Sequence, residues 1–404
     1  MTLSLLTFST LYPNERRPNH GIFVENRLRH LVADGTVTST VVAPVPWFPS
    51  QSPLFGDWAL NAGASATETR HGLTVHHPRY PVIPKLGMSV TPHLLYWSIL
   101  PIIQRLIAAG RHFDAIDAHY AYPDGVAAIW IGQKLGLPTV VTARGTDINL
   151  IPQYAVPRLL IRRFLPRAAA LVTVSVALKN ELIALGLPGD RIYVLRNGVD
   201  TTLFRPAERA TARAKLNLKR RTLLSVGHLI ERKGHDRIIE AMIELPDYDL
   251  LIVGEGPARQ HLIGLAHRLG VSERVKLLGA KPHTEMPKIY SAADALILAS
   301  NREGWANVLL ESMACGTPVV ASNVWGNPEV IRAPEAGVIA YDNTPQGLAT
   351  TIRYLFAHLP SRCDTHAYAQ NFSWDETTAG QITLFESLCS PSLRNEVSAA
   401  RSRG

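Results

Sequence analysis

The sequence predicts an α/β protein made of two doubly wound, parallel-sheet domains. Short apolar runs rich in β-branched residues alternate with helical patterns almost throughout. That rhythm stops near residue 196 and restarts near residue 222. At 404 residues the chain is also long for one hydrophobic core.

In the first half, strands are predicted over residues 3–8, 40–43, 115–118, 139–142, 170–174 and 192–195, with helices over 23–33, 125–135 and 177–185. The opening Met1-Thr2-Leu3-Ser4-Leu5-Leu6 lacks a positive leader and is broken by Tyr12-Pro13-Asn14, so it reads as a first strand and not a signal peptide. The turn Arg196-Asn197-Gly198-Val199-Asp200 marks the junction. In the second half, strands over 222–226, 249–253, 275–278, 295–298 and 319–321 alternate with helices over 236–244, 258–269 and 285–292. The expected domains are therefore 1–198 and 199–374, followed by a last helix over 375–389 and a disordered tail over 390–404. Ligands of such sheets bind at the carboxyl ends of the strands.

Composition narrows the class. A formal net charge of +8 favours anionic partners, and no recognisable nucleic-acid module is present. Cys315, Cys363 and Cys389 are odd in number, scattered and without zinc-ligand spacing, which indicates reduced thiols. The longest apolar stretch, 94–109, is interrupted by Pro101, Gln104 and Arg105 and is too short to span a bilayer.

The most informative segment is Glu303-Gly304-Trp305-Ala306-Asn307-Val308-Leu309-Leu310-Glu311. A buried strand precedes it, and a helix end, a Gly stop and a new strand follow. Glu303 thus falls on a strand-to-helix loop and Glu311 within a helix that starts near Asn307. The free N–H groups of that helix start favour an anion, and the flanking carboxylates suit sugar hydroxyls. Upstream, Gly227-His228-Leu229-Ile230-Glu231-Arg232-Lys233-Gly234 puts two adjacent cations on the loop after the first strand of the second domain, where they suit a diphosphate.

The 303–311 segment resembles the E-x7-E motif of retaining glycosyltransferases of family 4, which have the GT-B fold of two Rossmann-like domains facing a central cleft. The 227–234 segment is similar to that family's diphosphate-gripping loop. Lys233 matches the family Lys; His228 stands where the family has Arg, so either His228 serves as a neutral donor or Arg232 covers the loss. Gly254-Glu255-Gly256-Pro257 resembles the family's glycine-rich strand end. Ala280 and Lys281 fall in the segment that shelters the nucleotide base. Residues 323–331 resemble a family loop with one Gly replaced by Asn327, which tolerates left-handed backbone. In the first domain, Gly21 marks the loop near phosphate or acceptor, and His119 matches a His that borders the reacting sugar. Arg144 replaces the usual His of a T-x-H-G-x-D element. It either binds an anionic acceptor or phosphate, or packs against Asp147.

The resemblance implies transfer of a sugar from a nucleoside diphosphate sugar, UDP or GDP, with retained configuration. The acceptor would be a glycan or a lipid-linked molecule, as in bacterial surface-polysaccharide and teichuronic-acid-type synthesis. Lys233, Arg232, Glu303 and His119 are the expected catalytic residues. Glu311, Gly304, Trp305, Ala306, Asn307, Val308, Gly227, His228, Ala280 and Lys281 are expected to bind the donor, and Gly21, Arg144 and Asp147 to form the acceptor or phosphate loop. No DxD pattern stands out, so neither a metal nor a cofactor is expected. The alternatives are a UDP-sugar 2-epimerase and a non-catalytic nucleotide-binding subunit. The segment carrying Arg158, Arg162, Arg163 and Arg167 is basic and apolar together. It reads either as a contact with an anionic membrane, which would place a cytoplasmic protein at the inner membrane face, or as a core-packed helix with a solvated basic side.

Overall fold

The computed structural model describes residues 2–83 and 87–389. The expected tail over 390–404 lies outside the described residues. The chain divides into two compact units. One holds the residues through Arg196 and those from Asp375 on, and the other is Asn197–Trp374. The division falls two residues before the expected junction. Asn197 and Gly198 belong to the second unit because Val199 N–H donates to the Phe372 carbonyl at 2.9 Å, and a Cβ on Gly198 would lie 2.6 Å from the Ser373–Trp374 backbone.

The first unit is built on an eight-stranded sheet in the order Ile192–Val194, Ala170–Thr173, Thr139–Ala143, Ala115–His119, Leu3–Phe8, Val37–Val42, Leu73–His76, Thr67–Arg70. All neighbours are parallel except the last pair, an antiparallel hairpin that the apolar rhythm did not announce. Its strand Thr67–Arg70 is largely polar and exposed, as an edge strand is. Ala115–His119 and Thr139–Ala143 are buried along their whole length, which is why they read as unbroken runs and not as alternations. A 22-residue helix, Gly87–Ala108, runs through Pro92 and Pro101, the breaks that obscured it in the sequence. The helix Asp375–Cys389 packs Leu384 and Phe385 into the core formed by Leu5, Val24, Leu28 and Val41. Arg27, on the helix Ile22–Val32, is 1% exposed. Its Nε donates to Gln381 Oε1 and its Nη1 to the Leu195 carbonyl, each at 2.9 Å.

The second unit is a six-stranded parallel sheet in the order Val275–Gly279, Tyr248–Val253, Arg221–Val226, Ala295–Leu298, Val319–Ser322, Gly337–Ala340. Helices including His235–Ala241, Arg259–Arg268 and Pro345–Ala357 seal one face with Ile238, Leu262, Leu348 and Ile352. The strand order reverses direction at Arg221–Val226 and Ala295–Leu298, the switch point at which ligands of such sheets bind.

The loops leaving these strands lie close enough that only glycine fits. A Cβ on Gly254 (φ +149°) would lie 1.9 Å from the Gly227 carbonyl oxygen. Gly254→Ala is expected to cost at least about 2 kcal/mol through combined clash and backbone strain, read as a lowered urea midpoint. Gly35→Ala, where a Cβ would meet no neighbour within 4 Å at φ +77°, isolates the backbone part.

Candidate active site

In the second unit, the strand Arg221–Val226 leads through Gly227 to a 3₁₀ turn, Glu231–Lys233, and then to the helix His235–Ala241. Gly234 between them is left-handed, and its Cα sits so near Ala299 that a Cβ would fall 2.2 Å from that carbonyl oxygen. This approach carries Lys233 onto the loop that follows Ala295–Leu298. Lys233 Nζ donates to Glu303 Oε1 at 2.6 Å, and Ser300 Oγ donates to the same oxygen at 2.6 Å. Arg232 Nη1 donates to the Arg302 carbonyl at 2.9 Å and stands 4.0 Å from Glu303 Oε2. Glu303 is buried. Burial pushes its carboxyl up, but the Lys233 charge and hydrogen bond, with Ser300 and Arg232, outweigh that and hold it below the usual carboxylate range.

The helix Asn307–Ala314 starts four residues later, with no side chain capping its first N–H groups. Asn307 Oδ1 accepts from Asn197 Nδ2 at 3.2 Å. One turn in, Glu311 Oε2 accepts from the Tyr290 hydroxyl at 2.7 Å, and His283 Nε2 lies 3.4 Å from Oε1. Burial, and then the Glu311 charge, push the Tyr290 phenol well above its ordinary value, so it stays a donor. Phe204 packs edge-on against both rings. Ala280 and Lys281 lie between the strand Val275–Gly279 and the turn His283–Glu285, next to Glu311's histidine partner.

One unit therefore gathers Arg232, Lys233, Glu303, the Gly304–Val308 stretch and Glu311 about a single helix start. The His228 ring is exposed and makes no hydrogen bond or ion pair among the described residues, while Arg232 stands with Lys233 at Glu303. The left-handed residue of the 323–331 loop is Trp325 (φ +49°) and not Asn327. Asn327 begins the short helix Asn327–Val330, and its buried amide donates to the Ser322 carbonyl at 3.1 Å.

In the first unit the predicted residues form a buried charge network. His119 is 1% exposed. Its Nδ1 accepts from Arg144 Nη2 at 2.7 Å, and its Nε2 lies 3.2 Å from Asp117 Oδ2, out of line for a good hydrogen bond. Burial lowers the imidazole to about 4 against the opposing pull of Asp117, so the ring is neutral. The His expected beside a reacting sugar is thus enclosed by protein. The Arg144 guanidinium meets His119 and the Phe23 ring, 5.5 Å from the centroid. Asp147 clamps backbone, accepting from the N–H groups of Ala121, Arg144 and Gly145 at 2.6–3.1 Å. Gly21 caps the helix Ile22–Val32 in a left-handed conformation, and any Cβ there would lie 2.3 Å from the Leu11 carbonyl.

Sequence reasoning missed Ser300, His283, Asp117 and Asp124. Asp117 carried a signal, since residues two apart on a strand share a face and Asp117 therefore travels with His119. The others meet their partners only through folding.

The family Glycosyl transferases group 1 matches residues 207–372, and Glycosyltransferase Family 4 matches residues 21–203. A D-inositol 3-phosphate glycosyltransferase of Thermobispora bispora is 30% identical over 347 residues, 78% of this chain and 80% of that one. The chain belongs to glycosyltransferase family 4. The putative teichuronic acid biosynthesis glycosyltransferase TuaC of Bacillus subtilis is 27% identical over 80% of this chain and 82% of its own length. With the D-inositol 3-phosphate glycosyltransferase of Mycolicibacterium gilvum the identity is 36%, but the match spans 48% of this chain and about half of that protein, 46%. Among solved structures, sucrose-phosphate synthase from Thermosynechococcus elongatus has a TM-score of 0.78 at 21% identity, covering 96% of this chain and 99% of that one. Anabaena Alr3699/HepE in complex with UDP has a TM-score of 0.73 at 18% identity, covering 96% and 100%. These likenesses establish the GT-B fold of this family 4 member.

The first-unit network makes a pH prediction. Burial, opposed by hydrogen bonds from Thr10 and Ser9, raises Asp124 to about 7. Between about pH 4 and 7 the folded state then holds a proton that the unfolded state has lost, so Asp124 removes stability as pH rises through that window. His119 acts oppositely, because its folded value is depressed to about 4. It removes stability as pH falls from about 6.5 toward 4. Chemical denaturation across this range should give Asp124→Asn a steeper gain with pH than the parent, and His119→Asn a shallower one.

Proposed function

We propose that the protein transfers a hexosyl-type sugar from a nucleoside diphosphate sugar to a glycan or lipid-linked acceptor, with retention of anomeric configuration, in bacterial surface-polysaccharide synthesis. The observation that carries this reading is the Lys233–Glu303 contact of 2.6 Å beside the uncapped start of the Glu311 helix. A carboxylate held ionised by one lysine and one serine keeps the ammonium in place and pointed at the helix start. A diphosphate arriving there meets Lys233, Arg232 and unpaired helix N–H groups, which neutralise the charge that grows as the sugar–phosphate bond breaks. Glu311, steadied by the Tyr290 hydroxyl, is an acceptor suited to ribose hydroxyls. Glu303 and the Gly304–Ala306 backbone are suited to the sugar.

Neither Glu303 nor Glu311 stands free as a covalent nucleophile, because Glu303 is committed to Lys233 and Ser300 and Glu311 to Tyr290 and His283. A same-face departure fits these residues better, with the leaving phosphate taking the acceptor proton. No metal enters this reading. UDP or GDP is the leaving nucleotide. The TuaC likeness supports a cell-surface glycan as the product, and the UDP bound by Alr3699/HepE supports the donor class.

Lys233→Ala should lower turnover by about 10²–10³ in a chain that still folds, with a lowered unfolding midpoint because the buried Glu303 loses its lysine. Near-parental turnover would remove Lys233 from the reaction. Glu311→Ala should weaken nucleotide affinity by about 1.5–3 kcal/mol in calorimetry with UDP and GDP. Equal affinity in both proteins would remove the ribose role. A UDP-sugar incubated with the enzyme and no acceptor should keep its configuration at C2. A 2-epimer would turn the reading to isomerisation.

A further inference from the structure

The three helices Gly87–Ala108, Val126–Leu135 and Ala155–Phe164 contain no Asp or Glu. Arg105, Lys134, Arg158, Arg162 and Arg163 on these helices, and Arg167 just beyond, are all exposed. The side chains between these cations are aromatic and aliphatic. His93 packs on Trp97 at 6.4 Å and on Trp130 at 4.6 Å, and Trp130 packs edge-on against Phe164 at 5.0 Å. The Arg167 and Arg163 guanidiniums lie over Phe164 at 5.0 and 5.9 Å from the ring centroid. These contacts join the three helices into one continuous strip.

Two large apolar side chains stand out from the strip. Trp97 is 68% exposed and Leu159 is 63% exposed. In the helix Ala155–Phe164 Pro157 and Ile161 are buried, Leu160 and Phe164 are half-buried, and Leu159 is exposed with Arg158, Arg162 and Arg163. Core packing thus accounts for one side of this helix and leaves Arg158, Leu159, Arg162 and Arg163 exposed among the described residues. No helix among the described residues is long and apolar enough to cross a membrane.

We propose that this face docks on the surface of an anionic lipid bilayer, with the arginines at the headgroup phosphates and Trp97 and Leu159 entering the interface. The occupant follows from charge and shape together. Arginine carries a fork of donors that matches phosphate oxygens. An indole has an apolar body with one N–H and settles at the headgroup level. A strip of this kind, with no carboxylate to repel anionic lipid, has the composition of a surface that lies on a membrane without spanning it. The inference concerns the first unit alone and does not depend on which donor or acceptor is used.

The test is co-sedimentation of the full chain with phosphatidylcholine vesicles, with and without a phosphatidylglycerol minority, and with no nucleotide or acceptor present. The parent should partition to the anionic vesicles only, and less as salt shortens the screening length. The triple variant Arg158→Glu, Arg162→Glu, Arg163→Glu should lose about 100-fold or more of that partitioning. Trp97→Ser should lose a smaller, several-fold part that salt does not restore. An unchanged circular dichroism spectrum and urea midpoint of each variant check that the fold is intact. Equal binding of the parent to neutral and anionic vesicles would overturn the proposal. So would unchanged binding of either variant, or tighter binding of a single-stranded RNA than of vesicles. Because the vesicles hold no acceptor, failure here leaves the sugar-transfer reading standing, and a dead transferase that still docks leaves this one standing.

Discussion

A carboxylate that is 6% exposed is tolerable in a protein only when its charge is answered. In the second unit Glu303 is answered by Lys233 and Ser300 on one oxygen, with Arg232 beside the other. This interaction joins the loop after Arg221–Val226 to the loop after Ala295–Leu298, the two central strands of the sheet. The close approach of Gly234 to Ala299 and the Asn301 N–H bond to the Arg232 carbonyl at 2.9 Å serve the same junction. Without the ion pair, the helix start at Asn307 and Glu311 one turn beyond it would have no fixed relation to the cations. The substrate-facing chemistry and the packing of the strand ends are one arrangement.

The first unit solves a similar problem differently. Its strand ends carry Asp117, His119 and Arg144, with Arg27 behind them, all buried. The histidine gives up its charge, since its imidazole is lowered to about 4. The Asp117 carboxyl, which burial pushes up, is brought below its ordinary value by His119, Arg27 and Arg144. Burial raises the Asp147 carboxyl, and hydrogen bonds from the backbone N–H groups of Ala121, Gly145 and Arg144 oppose it. The second unit therefore presents cations at its site, whereas the first encloses Arg27 and Arg144 at its strand ends and carries others, exposed, on three surface helices.

What the sequence made legible follows from what is local. Fully buried parallel strands such as Ala115–His119 and Ala295–Leu298 announce themselves as unbroken apolar runs. The loop position of Glu303 and the helical position of Glu311 follow from flanking strand and glycine signals within a few residues. The hairpin Thr67–Arg70 with Leu73–His76 was not legible, because an exposed edge strand has no apolar rhythm. Nor was the helix Gly87–Ala108, whose prolines argue against it until packing overrides them. The enclosure of His119 could not be read at all. It depends on Arg144 from the next strand, 25 residues on, and a motif match reports which residue is present, not what covers it. Trp325 shows the same limit, since the left-handed angle expected two residues later at Asn327 falls on an indole.

The Arg27–Gln381 bond has a bearing on how the chain acquires its shape during synthesis. The arginine emerges from the ribosome early, and the glutamine that satisfies it follows 354 residues later. Until then the guanidinium Nε lacks Gln381, and the apolar floor that Leu384 and Phe385 will cover remains open. The second unit, continuous from Asn197 to Trp374, is complete before that helix is made. The unit translated first is therefore closed after the second, and a ribosome that stalls shortly before the helix Asp375–Cys389 leaves a finished second unit joined to an unsealed first one.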